Sequence, residues 1–292
     1  MTAATMATLK LLVMDGNLAE TDASHARHGG RPTGAHYAEV LRSLRPDVEC
    51  IVLHPANPGG GELPAGLGIE AFDGVAWTGS ALNIYNGGPA IQAQVELARV
   101  AFRAGVPQFG SCWGLQVATV AAGGEVRANP LGRELGIGRR IRLTEARAAH
   151  PMFAGKASPF DAITVHMDEV SVLPSGSTLL AGNAVSRVQA AEIRHGKGVC
   201  WGVQYHPEYD LNEIATVILR YGQRLVDAGF FADAAAQQRF VEDLRALHRD
   251  PGRRDVAWLY GIQEDVLDPR IRRIELANWL ERLVAPHAAA RG

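Results

Sequence analysis

The sequence predicts an α/β protein of three layers, in which helices cover both faces of a mixed, mainly parallel sheet. In the first half of the chain, short apolar runs with β-branched residues alternate with longer amphipathic stretches. This is the pattern of parallel strands joined by crossover helices. From about Arg139 the pattern changes to strand-like alternation, and from Leu211 it is helical. A C-terminal helical extension is therefore expected beyond the sheet.

Four strands and three helices are predicted in order in the first half. The strands cover 9–17, 50–55, 73–80 and 106–110, and the helices cover 35–44, 91–104 and the stretch after Ser111 that ends at Gly123. Gly105 ends the second of these helices, because Pro107 cannot continue it. The polar, glycine-containing segment 18–34 is predicted to be a flexible entrance loop. The resulting order is βαββαβα.

The second half is predicted to be rich in strands and then helical. Strand-forming segments cover 139–143, 162–174, 177–183 and 188–209, and helices cover 211–228, 233–248 and 255–261. Asp268 and Pro269 are typical of the first turn of a last helix, and the tail after Pro286 is predicted to be disordered. The arginines of the strand region are interpreted as a solvated edge that discourages aggregation, with a docking face as the alternative. They are Arg139, Arg140, Arg142 and Arg147.

The composition excludes several classes of protein. A chain of 292 residues with 47% hydrophobic residues can bury roughly 75% of its unfolded surface. Lysine and arginine total 29 against 31 acidic residues, which gives no reason to expect a nucleic acid or membrane partner. The three cysteines lack the spacing of disulfide or zinc frameworks, so a cytoplasmic location is expected. The apolar runs are too short for a membrane helix or a signal-peptide core.

The segment Gly110-Ser111-Cys112-Trp113-Gly114 joins the fourth strand to a helix. Small residues on both sides of a reactive side chain at such a junction are typical of a nucleophile elbow. The N-terminus of the following helix favours a thiolate, and its free amides can stabilise an oxyanion. We therefore expect Cys112 to be a nucleophile, with a small buried thiol as the alternative interpretation.

A cysteine nucleophile needs a base, and the base needs an orienting group. His206 and Glu208 lie two residues apart at the end of an apolar strand, so both side chains are expected on the same side. Glu208 can then hold the imidazole while His206 faces the thiol. These residues are the predicted base and orienting acid.

These two motifs resemble those of the class I (triad) glutamine amidotransferases, over about residues 9 to 225. The signatures are GSCWGLQ and GVQYHPEY. The resemblance implies a flavodoxin-like glutamine amidotransferase fold and a thioester mechanism that uses Cys112, His206 and Glu208 to release ammonia from glutamine. It further implies an oxyanion hole formed by the backbone amides of Gly79 and Trp113.

The closest resemblance within the family is to the amidotransferase domain of GMP synthase and its free-standing relatives. It implies substrate contacts from Gln116 and, in a His-x-Asp element, from His166 and Asp168. A structural turn is the alternative role for this element. No ATP-pyrophosphatase loop or Walker loop occurs, and no metal site or cofactor is expected. We divide the chain into an amidotransferase domain at 9–226 and a C-terminal helical extension at 227–286.

Three hypotheses for function remain open from the sequence. The first is a glutaminase that passes ammonia to an acceptor synthase acting in trans. The second is a self-sufficient hydrolase of γ-glutamyl amides or peptides, favoured by the missing synthetase domain. The third is a non-catalytic binding or regulatory module on the same fold. The extension is expected to cover a sheet face or to form a homodimer contact.

Overall fold

A computed structural model describes residues 8–145 and 150–291 of the chain. Its strands are β1 (Leu9–Met14), β2 (Val48–Leu53), β3 (Gly74–Trp77), β4 (Gln108–Ser111), β5 (Glu125–Ala128), β6 (Glu134–Leu143), β7 (Phe160–His166), β8 (Asp168–Val172), β9 (Thr178–Gly182), β10 (Ala190–His195) and β11 (Gly198–Val203). Its helices up to the end of the sheet region are α1 (Ala19–Arg27), α2 (Thr33–Leu44), α3 (Pro89–Ala104) and α4 (Trp113–Ala121).

The C-terminal part of the chain consists of helices. They are α5 (Leu211–Tyr221), α6 (Gln223–Asp227), α7 (Ala234–Arg249), α8 (Arg254–Tyr260), α9 (Glu264–Leu267), α10 (Pro269–Arg272), α11 (Ile274–Trp279) and α12 (Ala285–Arg291), with a π-helical turn at Leu280–Val284 between the last two. None of the helices in the described ranges combines the length and the apolar character needed to span a membrane.

Nine strands form one mixed sheet in the order β2-β1-β3-β4-β11-β10-β9-β6-β7. The strands from β2 to β11 in this order are parallel to one another, and the remaining strands pair antiparallel. β5 and β8 form a separate two-stranded antiparallel sheet. The predicted fold class, a mixed sheet flanked by helices, is therefore confirmed.

Alternate residues of the central strands contribute to two different cores, as the two-residue period of a strand requires. On β1, Leu11 and Val13 pack with α2 and the C-terminal helices, whereas Leu12 and Met14 pack with α3 and α4. A third apolar cluster lies between β7 and helices α5, α7 and α8. The sheet is thus covered on both faces.

The helix α11 and the turn that follows it cover one face of the sheet. Trp279 is fully buried against this face, and a Cβ atom on Gly74 would lie 3.0 Å from the Trp279 ring. Glu275, also fully buried, accepts a hydrogen bond of 2.7 Å from the Tyr205 hydroxyl and pairs with Lys156 at 3.1 Å. The extension therefore covers one face of the sheet and completes the core there. This is one of the two roles that were expected for it.

The structure corrects two predictions about irregular segments. The segment predicted to be an entrance loop contains helix α1, because the buried His25 anchors it by a 3.0 Å bond to Glu213. The tail after Pro286, predicted to be disordered, continues as α12, and Arg291 donates a 2.6 Å hydrogen bond to the Phe72 carbonyl. Local composition reveals neither long-range contact.

The predicted helix over 211–228 is interrupted, because Gly222 adopts a left-handed backbone with φ of 53° between α5 and α6. The described arginines of β6 are exposed, but β6 lies between β9 and β7, so the prediction that they form an edge of the sheet was wrong. Arg139 donates to the carbonyl groups of Tyr260 and Gly261. It thereby holds the end of α8 to the sheet. Arg147 lies outside the described residues.

Trp279 and Trp258 provide a matched test of the role of the extension. We expect Trp279→Ala to lower the free energy of unfolding by about 3–5 kcal/mol, the usual cost of removing a buried aromatic side chain. Trp258 is 82% exposed, so Trp258→Ala is expected to change stability by less than about 0.5 kcal/mol. Urea unfolding of both variants measures the difference. Equal stabilities would show that the C-terminal helices do not contribute to the core.

Candidate active site

Cys112 lies at the junction between β4 and α4, with φ of 50° and ψ of −98°. A positive φ is unfavourable for a residue with a side chain and costs about 1–3 kcal/mol. The flanking glycines are required by close packing: a Cβ atom on Gly110 would lie 2.4 Å from the Gly114 carbonyl carbon, and one on Gly114 would lie 2.5 Å from the Trp77 Cβ atom. The backbone thus has the geometry predicted for a nucleophile elbow.

The pairing of β4 with β11 brings the second motif to the cysteine. In this parallel pair Val203 lies opposite Ser111, and the Cys112 amide donates a 2.7 Å hydrogen bond to the Val203 carbonyl. Three residues beyond Val203, the His206 amide donates to the Ile163 carbonyl at 2.8 Å. Backbone hydrogen bonds therefore fix the positions of both Cys112 and His206.

The structure pairs two of the predicted catalytic side chains, His206 and Glu208, and places the third, the Cys112 thiol, close enough to influence the pKa of the imidazole. His206 Nδ1 lies 2.8 Å from Glu208 Oε1, and both side chains are 2% exposed. The Tyr209 ring stacks on the imidazole with 4.1 Å between centroids and an interplanar angle of 13°. The imidazole is therefore held both in its plane, by the carboxylate, and on one face, by the tyrosine.

The surroundings of His206 favour its protonated form. Burial alone would lower the pKa of His206, but the negative charge of Glu208 and the neighbouring Cys112 thiol outweigh it and raise the pKa to about 10. Within the described residues, the buried Nε2 atom has no hydrogen-bond partner. An imidazolium is thus available on the cysteine side of the ring near neutral pH.

Of the two residues predicted to supply the oxyanion hole, Gly79 lies beside the same imidazole. A Cβ atom on Gly79 would come within 2.6 Å of His206 Cε1, so a side chain there would displace the ring. Trp113 is the first residue of α4, and its indole Nε1 donates to the buried Gln94 at 2.7 Å. Gly79 therefore adjoins His206, and the start of α4 directly follows Cys112.

A cavity of about 570 Å³ opens over Cys112. The predicted substrate contacts Gln116, His166 and Asp168 all line it, together with residues of α1. This volume is in the usual range for small-molecule sites, roughly 300–1,000 Å³. The structure therefore places Cys112 and the three predicted substrate contacts around one cavity, and it places Glu208 and Gly79 against His206.

Two of the predicted substrate contacts are already engaged in hydrogen bonds. The ring nitrogens of His166 lie 2.9 Å from the Asp168 carbonyl oxygen and from Glu134 Oε2. The Asp168 carboxylate accepts hydrogen bonds from Asn83 and from the Tyr85 hydroxyl, at 2.8 and 2.9 Å. These contacts support the turn that forms the cavity wall, which is the structural role left open for the His-x-Asp element.

Sequence reasoning missed several residues at the site. Tyr209 directly follows Glu208 in the GVQYHPEY motif, so its stacking could have been sought there. Arg133, Arg220 and Arg224 also line the cavity. They lie outside both motifs, and their position depends on how the start of β6, the end of α5 and α6 return to the site. No local pattern marks them.

The group of side chains closest to a metal-ligand arrangement in the described ranges lies beyond the end of β1, outside the lining of the cavity over Cys112. It consists of Asp15, Asp22 and His54, whose ligand atoms lie within 4.8 Å of one another. Burial and the nearby Asp22 raise the pKa of Asp15 to about 7. The Asp15 carboxylate accepts hydrogen bonds from the backbone amides of Asn17 and Gly34. These bonds fix the loop after β1, so the buried carboxylate has a structural role without a metal.

Comparison with known proteins identifies the family. The family model for glutamine amidotransferase class-I matches residues 77–223. A γ-glutamyl-L-1-hydroxyisopropylamide hydrolase from a Pseudomonas species is 33% identical over 97% of this chain and 96% of its own length. The chain therefore belongs to the class I glutamine amidotransferases, and its relatives indicate an enzyme that hydrolyses amides.

Other relatives match a smaller part of the chain. A glutamine-hydrolyzing GMP synthase subunit from Methanococcus maripaludis strain C5 is 33% identical over 47% of this chain and 69% of its own length. The crystal structure of a glutamine amidotransferase from Thermotoga maritima superposes with a TM-score of 0.60, covering 85% of this chain and 98% of the other at 18% identity. That similarity supports the fold.

The pKa of His206 can be tested without any substrate. We expect the imidazole to be protonated at pH 8 in the wild type and neutral in Glu208→Gln, because removing the carboxylate charge leaves burial, which lowers the pKa. Glu281 is half exposed and lies on the C-terminal helices, so Glu281→Gln serves as the control. NMR of ¹⁵N-labelled histidine measures the protonation state. A neutral His206 in the wild type at pH 8 would contradict the assigned electrostatics.

Proposed function

We propose that this protein hydrolyses γ-glutamyl amides, releasing glutamate and an amine larger than ammonia, with Cys112 as the nucleophile. The observation that carries the proposal is that Cys112 lines the cavity and neighbours His206, whose imidazole is bonded to Glu208. A thiol, an imidazole and an orienting carboxylate are the groups that nucleophilic amide hydrolysis requires.

The proposed reaction has two stages. The Cys112 thiolate attacks the γ-carbonyl carbon, a carbon–sulfur bond forms, and the His206 imidazolium protonates the leaving amine nitrogen as the carbon–nitrogen bond breaks. A water molecule then attacks the γ-glutamyl thioester and gives its proton to His206. Glutamate leaves, and the thiolate and imidazolium are restored. The raised pKa of His206 supports this role, because the acid must be protonated before the amine departs.

The negative oxygen formed in each stage needs hydrogen-bond donors. We assign this role to the backbone amides of Gly79 and Trp113. The N-terminal end of α4 carries a partial positive charge, and Gly79 lies against the His206 ring. Losing one such donor typically slows the reaction by about 10²–10³-fold.

Two findings favour an amine over ammonia as the leaving group. The γ-glutamyl amide hydrolase from Pseudomonas matches the chain over nearly its whole length, and therefore over the C-terminal helices as well. In addition, the cavity continues past Cys112 toward α5 and α6, where Arg220, Tyr221 and Arg224 line it. This leaves space on the side where the amine would lie.

The second candidate function is glutamine hydrolysis with transfer of ammonia to a separate synthase. The similarity to the GMP synthase subunit from Methanococcus supports it, but that similarity covers about half of the chain. The relatives do not favour the third hypothesis, a non-catalytic module, since the Pseudomonas and Methanococcus proteins both carry enzyme names.

Steady-state kinetics with two substrates tests the proposal. We expect kcat/KM for γ-glutamyl isopropylamide to exceed that for glutamine at least tenfold, because the cavity provides contacts for the amine. Cys112→Ala is expected to abolish turnover of both, while Cys50→Ala, which removes a half-buried thiol in β2, is expected to retain it. Release of each amine by chromatography is the measurement.

A preference for glutamine would instead favour the second candidate. Undiminished turnover by Cys112→Ala would overturn both.

A further inference from the structure

Four arginines line the cavity over Cys112, and their charge is not balanced there. They are Arg27, Arg133, Arg220 and Arg224, whereas the carboxylates of the wall are Glu20 and Asp168. Asp168 is bonded to Asn83 and Tyr85. Within the residues that the structure describes, none of the four arginines forms an ion pair with a carboxylate. The wall is therefore an electropositive surface.

Three of these arginines surround a single tyrosine. The guanidinium carbons of Arg133, Arg224 and Arg220 lie 4.5, 5.3 and 5.6 Å from the centre of the Tyr221 ring. Cation–π attraction holds the guanidinium groups against the ring without neutralising them. One N–H group of Arg133 donates to the Met167 sulfur at 3.4 Å. We call Tyr221 and these three arginines the Tyr221 cluster. A guanidinium group carries a planar fork of N–H donors that matches a carboxylate.

The Tyr221 cluster lies on the His206 side of the site. Arg220 and Tyr221 line a small cavity that is also lined by Gly79, His206 and Tyr209. In the proposed reaction His206 gives its proton to the departing nitrogen, so the amine part of the substrate extends toward His206 and the cluster. A charge on that part would lie near the three guanidinium groups.

An apolar chamber of about 400 Å³ adjoins the Tyr221 cluster. It shares Arg133, Tyr221 and Arg224 with the main cavity, and the rest of its wall is largely apolar. Its walls include Leu131, Met167 and Phe230, which are 69%, 42% and 38% exposed. Exposed apolar side chains that gather in one place, as these do in a single lining, mark a binding surface more often than side chains scattered singly do.

We propose that the Tyr221 cluster binds a carboxylate on the leaving amine and that the adjoining chamber accepts an apolar side chain. The preferred substrates are then γ-glutamyl amino acids with apolar side chains, cleaved to glutamate and the free amino acid. This inference rests on the proposed function and narrows its substrate class. It further predicts a different preference from that of the Pseudomonas hydrolase, whose named substrate has an uncharged amine portion.

The test compares γ-glutamyl-leucine with γ-glutamyl-isoamylamide, which has the same carbon skeleton without the carboxylate. Binding to Cys112→Ala is measured by calorimetry, and turnover is measured with the wild-type cysteine. We expect γ-glutamyl-leucine to bind at least tenfold more tightly. The triple variant Arg133→Gln, Arg220→Gln and Arg224→Gln is expected to reduce the ratio of the two affinities to about one. Arg103 forms an exposed ion pair with Glu96 away from the cavity, so Arg103→Gln is the control and is expected to leave the ratio unchanged.

The outcomes separate the two proposals. Equal binding of both compounds, or an arginine variant that weakens both equally, would overturn the inference. Equal weakening of both compounds by the arginine variant would mean that the arginines bind the glutamyl carboxylate, which the two ligands share. If both compounds are hydrolysed by the wild type, the proposed function would survive either result. Absence of both binding and turnover for both compounds would overturn the proposed function together with the inference.

Discussion

The parallel pairing of β4 with β11 is the contact on which the arrangement of the site depends. These strands are separated in the chain by the small antiparallel sheet and the outer strands, yet they are neighbours in the main sheet. Their register places Val203 opposite Ser111, and the hydrogen bond from the Cys112 amide to Val203 extends this pairing into the elbow. Because His206 and Glu208 directly follow β11, a shift by one residue would move the imidazole away from the thiol. The strained backbone of Cys112 is thus supported by the most buried part of the sheet.

The C-terminal helices reinforce the same strand end from the opposite face. Tyr205, next to His206, donates its hydroxyl proton to Glu275, and the buried charge of Glu275 is paired with Lys156. A buried carboxylate left without such partners would be strongly destabilising. Of two consecutive residues, Tyr205 therefore faces the extension and His206 faces the active site. Helix α11 contributes no side chain to the cavity, but it fixes the strand end that carries the imidazole. This gives the residues beyond the amidotransferase core a structural purpose, while the division at residue 226 stays a prediction.

Local sequence patterns predicted those parts of the fold that local physics determines. The alternation of apolar runs identified the central strands, Gly105 marked the end of α3, and the two motifs placed Cys112 and His206 at strand ends that the structure brings together. What the sequence could not reveal depends on distant partners. Helix α1 forms in a polar segment because His25 bonds to a glutamate of α5, and Arg220 reaches the cavity only because α5 packs back across the sheet edge. Such contacts leave no periodic pattern and no fixed residue spacing in the sequence.

The central claim is that Cys112 carries the γ-glutamyl group between the two stages of hydrolysis. Rapid acid quenching of the enzyme during turnover of γ-glutamyl-leucine, followed by peptide mapping with mass spectrometry, tests it directly. We predict a mass gain of one glutamyl group on the peptide that contains Cys112, lost on treatment with hydroxylamine as a thioester requires, and no gain on the peptides of Cys50 and Cys200. Turnover that proceeds with the glutamyl group on another residue, or with no covalent adduct at any quench time, would contradict the account.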